Sequence, residues 1–254
     1  MTELEQKIIQ SIASVCQHAA KQPMCFFSEA DLQAQLYEKI HQAIPEDYPT
    51  GVSISGDGSG SKMYKTSQVH REYGAGFGRR YDLVVFTPEE IASMNDSNLT
   101  QQLEEGTSYV TPSFAIEMGT EKSGDSAVHV ENDLEKLKQA KQRGFLIHIF
   151  RDTVSAPRGS QSWLNRDERI IAPFRKSIAW GDECVDKKIV VIALLLILGI
   201  RNRPSGPRCQ IFLPKGKKLT RKADRVANTD NWYYINLEHV AEHVESICQP
   251  PAAS

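Results

Sequence analysis

Cysteine is scarce in this 254-residue chain, and nowhere is it paired. The five residues, Cys16, Cys25, Cys184, Cys209 and Cys248, form no CxxC spacing and no regular framework. That argues against a structural zinc site or a disulfide scaffold, and the odd count predicts reduced thiols in a cytoplasmic protein. An excess of charge is missing too, since 30 Lys and Arg meet 32 Asp and Glu for a net charge of −2. A polyanionic partner therefore needs positive charge gathered locally. No apolar run is long enough to span a bilayer. The strongest, "IVVIALLLILGI" from Ile189 to Ile200, offers about a dozen residues against the roughly 18 to 20 required. Lys187, Lys188 and Arg201 close it off, so it is expected to be a buried strand or core helix, with no membrane partner. The opening "MTELEQKIIQSIASV" lacks the cationic start and cleavage site of a secretory signal. Several motifs are absent as well. The Gly/Ser-rich "TGVSISGDGSGSK" does not close on Gly-Lys-Ser/Thr and is expected to be a loop or hairpin tip, not a phosphate cradle. No HExxH is found, and no Ser or Cys sits in a nucleophile elbow, so acyl transfer has no support.

What is present is a globular balance of 40% hydrophobic and 24% charged residues, enough for a packed core in a single domain over residues 1–254. Two helices are expected first, one from Glu3 to Ala20 and one in "SEADLQAQLYEKIHQAI". In the second, Ser28 stands as N-cap with Asp31 in the capping-box position, and Leu32, Leu36 and Ile40 form one apolar face before Pro45. Strand signals follow in "SQVHREY", "RRYDLVVF" and "AIEMG". "VHVENDLEKLKQAKQRG" predicts a helix with Val130, Leu134 and Leu137 on one face and Gly144 as its stop. "FLIHIF" is expected as a buried fourth strand. The order helix, three strands, helix, strand defines an α/β architecture with a mixed central β-sheet flanked by helices. Further on, "APFRKSIAW" is expected as a short helix, "RCQIFL" as a strand and "NLEHVAEHVESI" as a closing amphipathic helix, while "SAPRGSQSWLNRDER" reads as a long loop.

Two acids stand out at strand ends. Alternation puts Asp82 on one face with Val84 and Phe86, and puts Glu117 with Ala115 and Gly119, opposite Phe114, Ile116 and Met118. Acids on neighbouring strands can converge on one divalent ion, and magnesium usually takes only one or two carboxylates beside water and phosphate. Such an ion acidifies a bound water and neutralises charge on a phosphoryl group. The alternative is that the acids solvate the sheet edge or pair with Arg79 and Arg80.

The series "FSEADLQAQLYEKI", "RRYDLVVF", "FAIEMG" and "ENDLEKLKQ" resembles, in this order, the PD-(D/E)XK nuclease superfamily with its restriction-endonuclease-like fold. The resemblance spans about Phe27 to Asp152 and leaves residues 153–254 as an extension of the same domain. It implies a metal site of Asp82, Glu117 and Glu29 holding Mg²⁺ or Mn²⁺, with water as the nucleophile at phosphorus. Glu29 also suits a helix N-terminus for the macrodipole alone. The family pattern places a lysine two residues after the strand acid, where this chain has Gly119. Three alternatives stay open. The lysine role passes to Lys122 or Lys136, metal-activated water suffices, or catalysis is lost while binding remains. Asp133 and Lys136, three apart, share a helical face and equally fit a surface ion pair.

From Arg201 to Arg225 the chain crowds basic residues, among them Arg201, Arg203, Lys215, Lys217, Lys218, Arg221 and Lys222. This local polycation suits phosphate contact without sequence readout, and equally a solvated loop. Arg71, Arg79 and Arg80 beside Asp82 extend the expected surface. Trp232, Tyr233 and Tyr234 are expected to divide between core and surface. His70, His129 and His148 are scattered, and His148 alternates with apolar residues as a structural histidine would. The resulting expectation is a metal-dependent nuclease acting on DNA, with RNA as the other possible substrate. The alternative is a catalytically degenerate fold that binds nucleic acid or a protein partner. The resemblance also implies a homodimer.

Overall fold

The computed structural model describes residues 1–44, 51–55, 61–76, 79–93, 110–121, 126–140, 142–154, 188–200, 208–226 and 231–249. Two N-terminal helices, α1 (Glu3–Lys21) and α2 (Glu29–Ala43), begin where side chains supply their caps. Thr2 accepts from the Glu5 N–H, and Ser28 and Asp31 form the expected reciprocal capping box, which satisfies donors the helix itself leaves open. The Gly/Ser-rich segment carries a hairpin, β1 (Gly51–Ser55) antiparallel to β2 (Ser61–Lys65). Next come β3 (Val69–Gly76), β4 (Arg79–Val85), the short α3 (Pro88–Ala92), β5 (Phe114–Glu121), α4 (Ser126–Gln139) and β6 (Arg143–Val154). The C-terminal part contributes β7 (Ile189–Ile200), β8 (Arg208–Phe212), β9 (Asp224–Arg225), β10 (Trp232–Ile235), a 3₁₀ turn (Leu237–His239) and α5 (Val240–Cys248).

Eight strands form one sheet in the order β3-β4-β5-β6-β7-β8-β10-β9. It is mixed and mostly antiparallel, with β5–β6 and β6–β7 the parallel pairs. Period-two alternation explains how both faces are covered. Along β7, Val190, Ile192, Leu194 and Leu196 join one core with α1, α2 and α5, while Ile189, Val191, Ala193, Leu195 and Ile197 join the other. The second core receives Val130, Leu134 and Leu137 of α4, the predicted apolar face. The Ile189–Ile200 run is thus a central strand, and from Ile189 to Ile197 it is apolar because neither face meets water. No helix among the described residues is long and apolar enough to cross a membrane.

Two expectations need correction or placement. Gly144 does not stop α4, which ends at Gln139. It lies on β6, where a Cβ would stand 3.3 Å from Leu137 Cδ2, so the glycine permits close helix–strand approach. The segments "APFRKSIAW" and "SAPRGSQSWLNRDER" fall outside the described residues. As anticipated for the aromatic triplet, Trp232 is buried while Tyr233 and Tyr234 pack against opposite cores.

Covering both faces has a direct consequence. Leu194→Ala and Leu195→Ala point to opposite sides of β7, and each should cost about 2–5 kcal/mol in urea unfolding. A near-zero cost for either would mean that its face is open to solvent.

Candidate active site

The antiparallel ladder between β4 and β5 ends at the Leu83–Ile116 pair. One step beyond, the Met118 N–H donates instead to Asp82 Oδ2 at 2.7 Å, so a side chain takes over where the backbone pairing stops. The carbonyl of Asp82 is engaged too, accepting from Gln33 Nε2 of α2 at 2.8 Å. The same amide nitrogen donates to Glu72 Oε1 at 2.9 Å, and Gln33 Oε1 accepts from Arg71 Nε at 3.0 Å. Glu72 lies across from Asp82, between the Arg71–Leu83 and Tyr73–Tyr81 pairs, at φ 51. That left-handed conformation is uncommon for a residue with a Cβ. Strand alternation breaks here. Tyr81 would by period two join Leu83 and Val85, yet it packs in the core of Val84 and Phe86, as does Tyr73. Asp82 therefore sits in locally irregular, side-chain-braced backbone.

Glu117 lies on the β5 face that α4 covers, and it is fully buried. Its Oε2 accepts from Lys136 Nζ, which reaches back from the helix. Lys136 Nζ also stands 3.0 Å from Asp133 Oδ1 and donates to the Arg80 carbonyl at 3.3 Å. The other oxygen of Asp133, Oδ2, lies 3.2 Å from His129 Nε2 and 3.3 Å from His148 Nε2. His129 Nε2 is in turn 3.6 Å from Glu29 Oε2 at the start of α2. Helical spacing accounts for part of this, because His129, Asp133 and Lys136 lie at i, i+4 and i+7 on α4. The parallel register of β5 and β6 accounts for the rest, since it pairs Gly119 with His148.

These groups set three carboxyls, Asp82, Glu117 and Asp133, around one lysine. Burial is the main force raising the Asp82 carboxyl, to about 7, and the charges of Asp133 and Glu29 add to it. Burial, then the charges of Asp82 and Asp133, push Glu117 well above the ordinary carboxylate range, with Lys136 pulling the other way. For Asp133 burial acts upward, but the adjacent imidazole of His148, with Lys136 and His129, holds it below its usual value. Burial likewise opposes the Lys136 charge and is outweighed by Glu117 and Asp133, so its pKa rises. The cluster holds more carboxyls than its one lysine can pair, and among the described residues Glu117 Oε1 is buried without a hydrogen-bond partner. Among the described residues no three His, Cys, Asp or Glu side chains stand ready as a metal cage.

Of the residues singled out in the sequence, Asp82, Glu117 and Lys136 come together, and Glu29 reaches the rim through His129. Lys122, Arg201 and Arg203 lie outside the described residues. Asp133 corrects one expectation, being 3% exposed and no surface partner for Lys136. His129 and His148 were missed. The α4 spacing could have signalled His129, whereas His148 joins only through strand register. Arg79 and Arg80 are exposed at the start of β4. Lys215, Lys218, Arg221 and Lys222 are exposed between β8 and β9, with β6 and β7 separating β8 from β5. There Arg221 pairs with Glu242 at 2.9 Å, and Lys217 donates to the Gln249 carbonyl. No family model, curated protein or solved structure matches this chain.

The charge balance predicts a particular double-mutant cycle. Lys136→Met strands Glu117 and Asp133 without their cation and should destabilise by about 3–5 kcal/mol in urea unfolding at neutral pH. Glu117→Gln should be close to neutral, and the double variant should recover part of the Lys136→Met loss. Strictly additive effects would mean that the two groups do not interact.

Proposed function

We propose that the chain is a metal-dependent nuclease that hydrolyses DNA phosphodiester bonds with water. The observation that carries this reading is the convergence of Asp82 and Glu117 from adjacent strands with Lys136 seated on Glu117. The element order supports this reading, since α2, the meander β3-β4-β5, helix α4 and parallel strand β6 are compatible with the plan expected of the PD-(D/E)XK superfamily. The donor chemistry fits a hard divalent ion, with carboxylate oxygens on two strands and a buried Glu117 Oε1 lacking a partner. Asp82, Glu117 and, from the rim, Glu29 would hold Mg²⁺ or Mn²⁺. When bound, such an ion acidifies water and neutralises charge at phosphorus.

The remaining work falls to the protein. Met118 N–H and Gln33 fix Asp82 at its carboxylate and its carbonyl, so the group is held before substrate arrives. Lys136 brings to Glu117 the ammonium that Gly119 cannot supply, and a fixed positive charge there favours the charge that develops on a phosphoryl oxygen. Exposed Arg79 and Arg80 at the start of β4 suit the phosphate backbone. The basic run Lys215–Lys222 lies on the far flank of the sheet and suits a separate, sequence-independent contact.

A second reading, a nuclease fold that binds without cutting, is favoured by one feature. Lys136 is already engaged by both Glu117 and Asp133, an arrangement that also serves as a buried structural ion pair. Incubating supercoiled plasmid with the purified chain in Mg²⁺ or Mn²⁺ separates the two. The nuclease reading expects nicking that EDTA stops and that Asp82→Asn or Glu117→Gln reduces at least about 100-fold. Salt-sensitive DNA binding without metal, and no nicking, would select the binding fold.

A further inference from the structure

Lysine is a flexible four-carbon stem with three rotatable donors, so an ammonium supplied from a helix needs something to aim it. On β5, a strand lysine would be aimed by the strand itself, but position 119 is glycine. The group nearest to filling that need is Asp133, whose two oxygens have separate partners. Oδ1 faces Lys136 Nζ at 3.0 Å, and Oδ2 faces His129 Nε2 at 3.2 Å and His148 Nε2 at 3.3 Å. The carboxylate is therefore approached by an imidazole from each of two elements, by His129 from α4 and by His148 from β6. His148 is fully buried and pairs in register with Gly119, so the anchor stands beside the strand position that lacks a side chain.

We propose that Asp133, braced by His148 and His129, is the positioning residue that holds the Lys136 ammonium on Glu117 in place of a lysine at position 119. The consequence for catalysis rests on the nuclease reading above, while the positioning itself does not. Ordinary i,i+3 pairs on a helix surface hold their lysine loosely and contribute little. This pair differs in being out of water, with the Asp133 side chain 4% and the Lys136 side chain 16% exposed. Asp133 is paired here with Lys136, His129 and His148. Its part is to remove the freedom of Lys136, which concentrates the ammonium at one point beside Glu117.

The test has two independent arms on the full chain labelled with ¹⁵N-lysine. Proton–nitrogen correlation spectra tuned to lysine NH₃⁺ groups should show a Lys136 signal protected from solvent exchange, assigned by its loss in Lys136→Arg. In Asp133→Asn, which keeps the size and removes the charge, exchange at Lys136 should rise at least about tenfold. His148→Gln, which loosens the anchor from the strand side, should raise it less. In the plasmid assay Asp133→Asn should lower the single-turnover rate at least about tenfold with DNA affinity unchanged. An Asp133→Asn protein with a lower melting temperature but an unchanged Lys136 signal would overturn the proposal and leave a structural role. So would a wild-type Lys136 ammonium that exchanges as fast as those of exposed Lys215 and Lys218, which needs no folded variant. If the wild type never nicks plasmid, the nuclease reading falls and the NH₃⁺ signal still decides the positioning.

Discussion

Keeping charge out of water is the constraint on which this structure turns. Glu117 and Asp133 are buried, Asp82 is half-buried, and a single lysine, with two imidazoles behind it, must answer them. Isolated carboxylates in such surroundings are expensive, which is why burial is the leading cause raising both Asp82 and Glu117. A merely structural sheet would be as stable, or more so, with apolar residues at these positions. The cost is concentrated in one place, where β4 and β5 stop pairing and α4 crosses the strand face. It is offset by the two large apolar cores on either side of β6 and β7.

The irregular backbone at Asp82 belongs to the same arrangement. A regular ladder would satisfy Met118 N–H from the β4 backbone and leave the Asp82 carboxylate to find other donors. Ending the ladder at Leu83–Ile116 gives that donor to the carboxylate instead. Glu72, in the left-handed region, resets the alternation of β3, and Gln33 bridges Glu72 and the Asp82 carbonyl. Backbone strain of this kind persists only where neighbours over-determine it, and here a buried glutamine and an arginine do so.

Much of the fold was legible because it rests on period. The capping box at Ser28, the apolar face of α4, the strand at Phe145–Phe150 and the buried Ile189–Ile200 run all follow from spacing that physical chemistry reads directly. Gly144 misled because a glycine after a helix usually ends it, whereas here its missing side chain lets β6 pass under Leu137. Within the site, Asp82 and Glu117 were readable as acids on neighbouring strands, though neither ends its strand, Asp82 standing inside β4 and Glu117 inside β5, and Lys136 was readable as one of two lysines within reach. Asp133 was not, since an i,i+3 acid–lysine pair has the same spacing on a surface as in a core, and burial alone separates the two cases. His148 was the least legible. Its apolar neighbours describe the strand correctly, but only the register of β5 against β6 brings it to Asp133.

On the proposed nuclease reading, that register bears on the lysine that the superfamily pattern places at position 119. A lysine at position 119 would stand beside His148, on the face that α4 covers, and would bring a second ammonium toward Asp133 and Glu117. The helix lysine already occupies both of those oxygens. On the nuclease reading proposed above, Lys136 would therefore supply from the helix the charge that the superfamily pattern places on the strand. The reverse also holds. If the helix lysine were removed, nothing on β5 is positioned to replace it, and Glu117 would lose its cation while Asp133 kept only its two imidazoles. Glycine at 119 and lysine at 136 thus form one choice made twice, and a change at either position alters what the other must do.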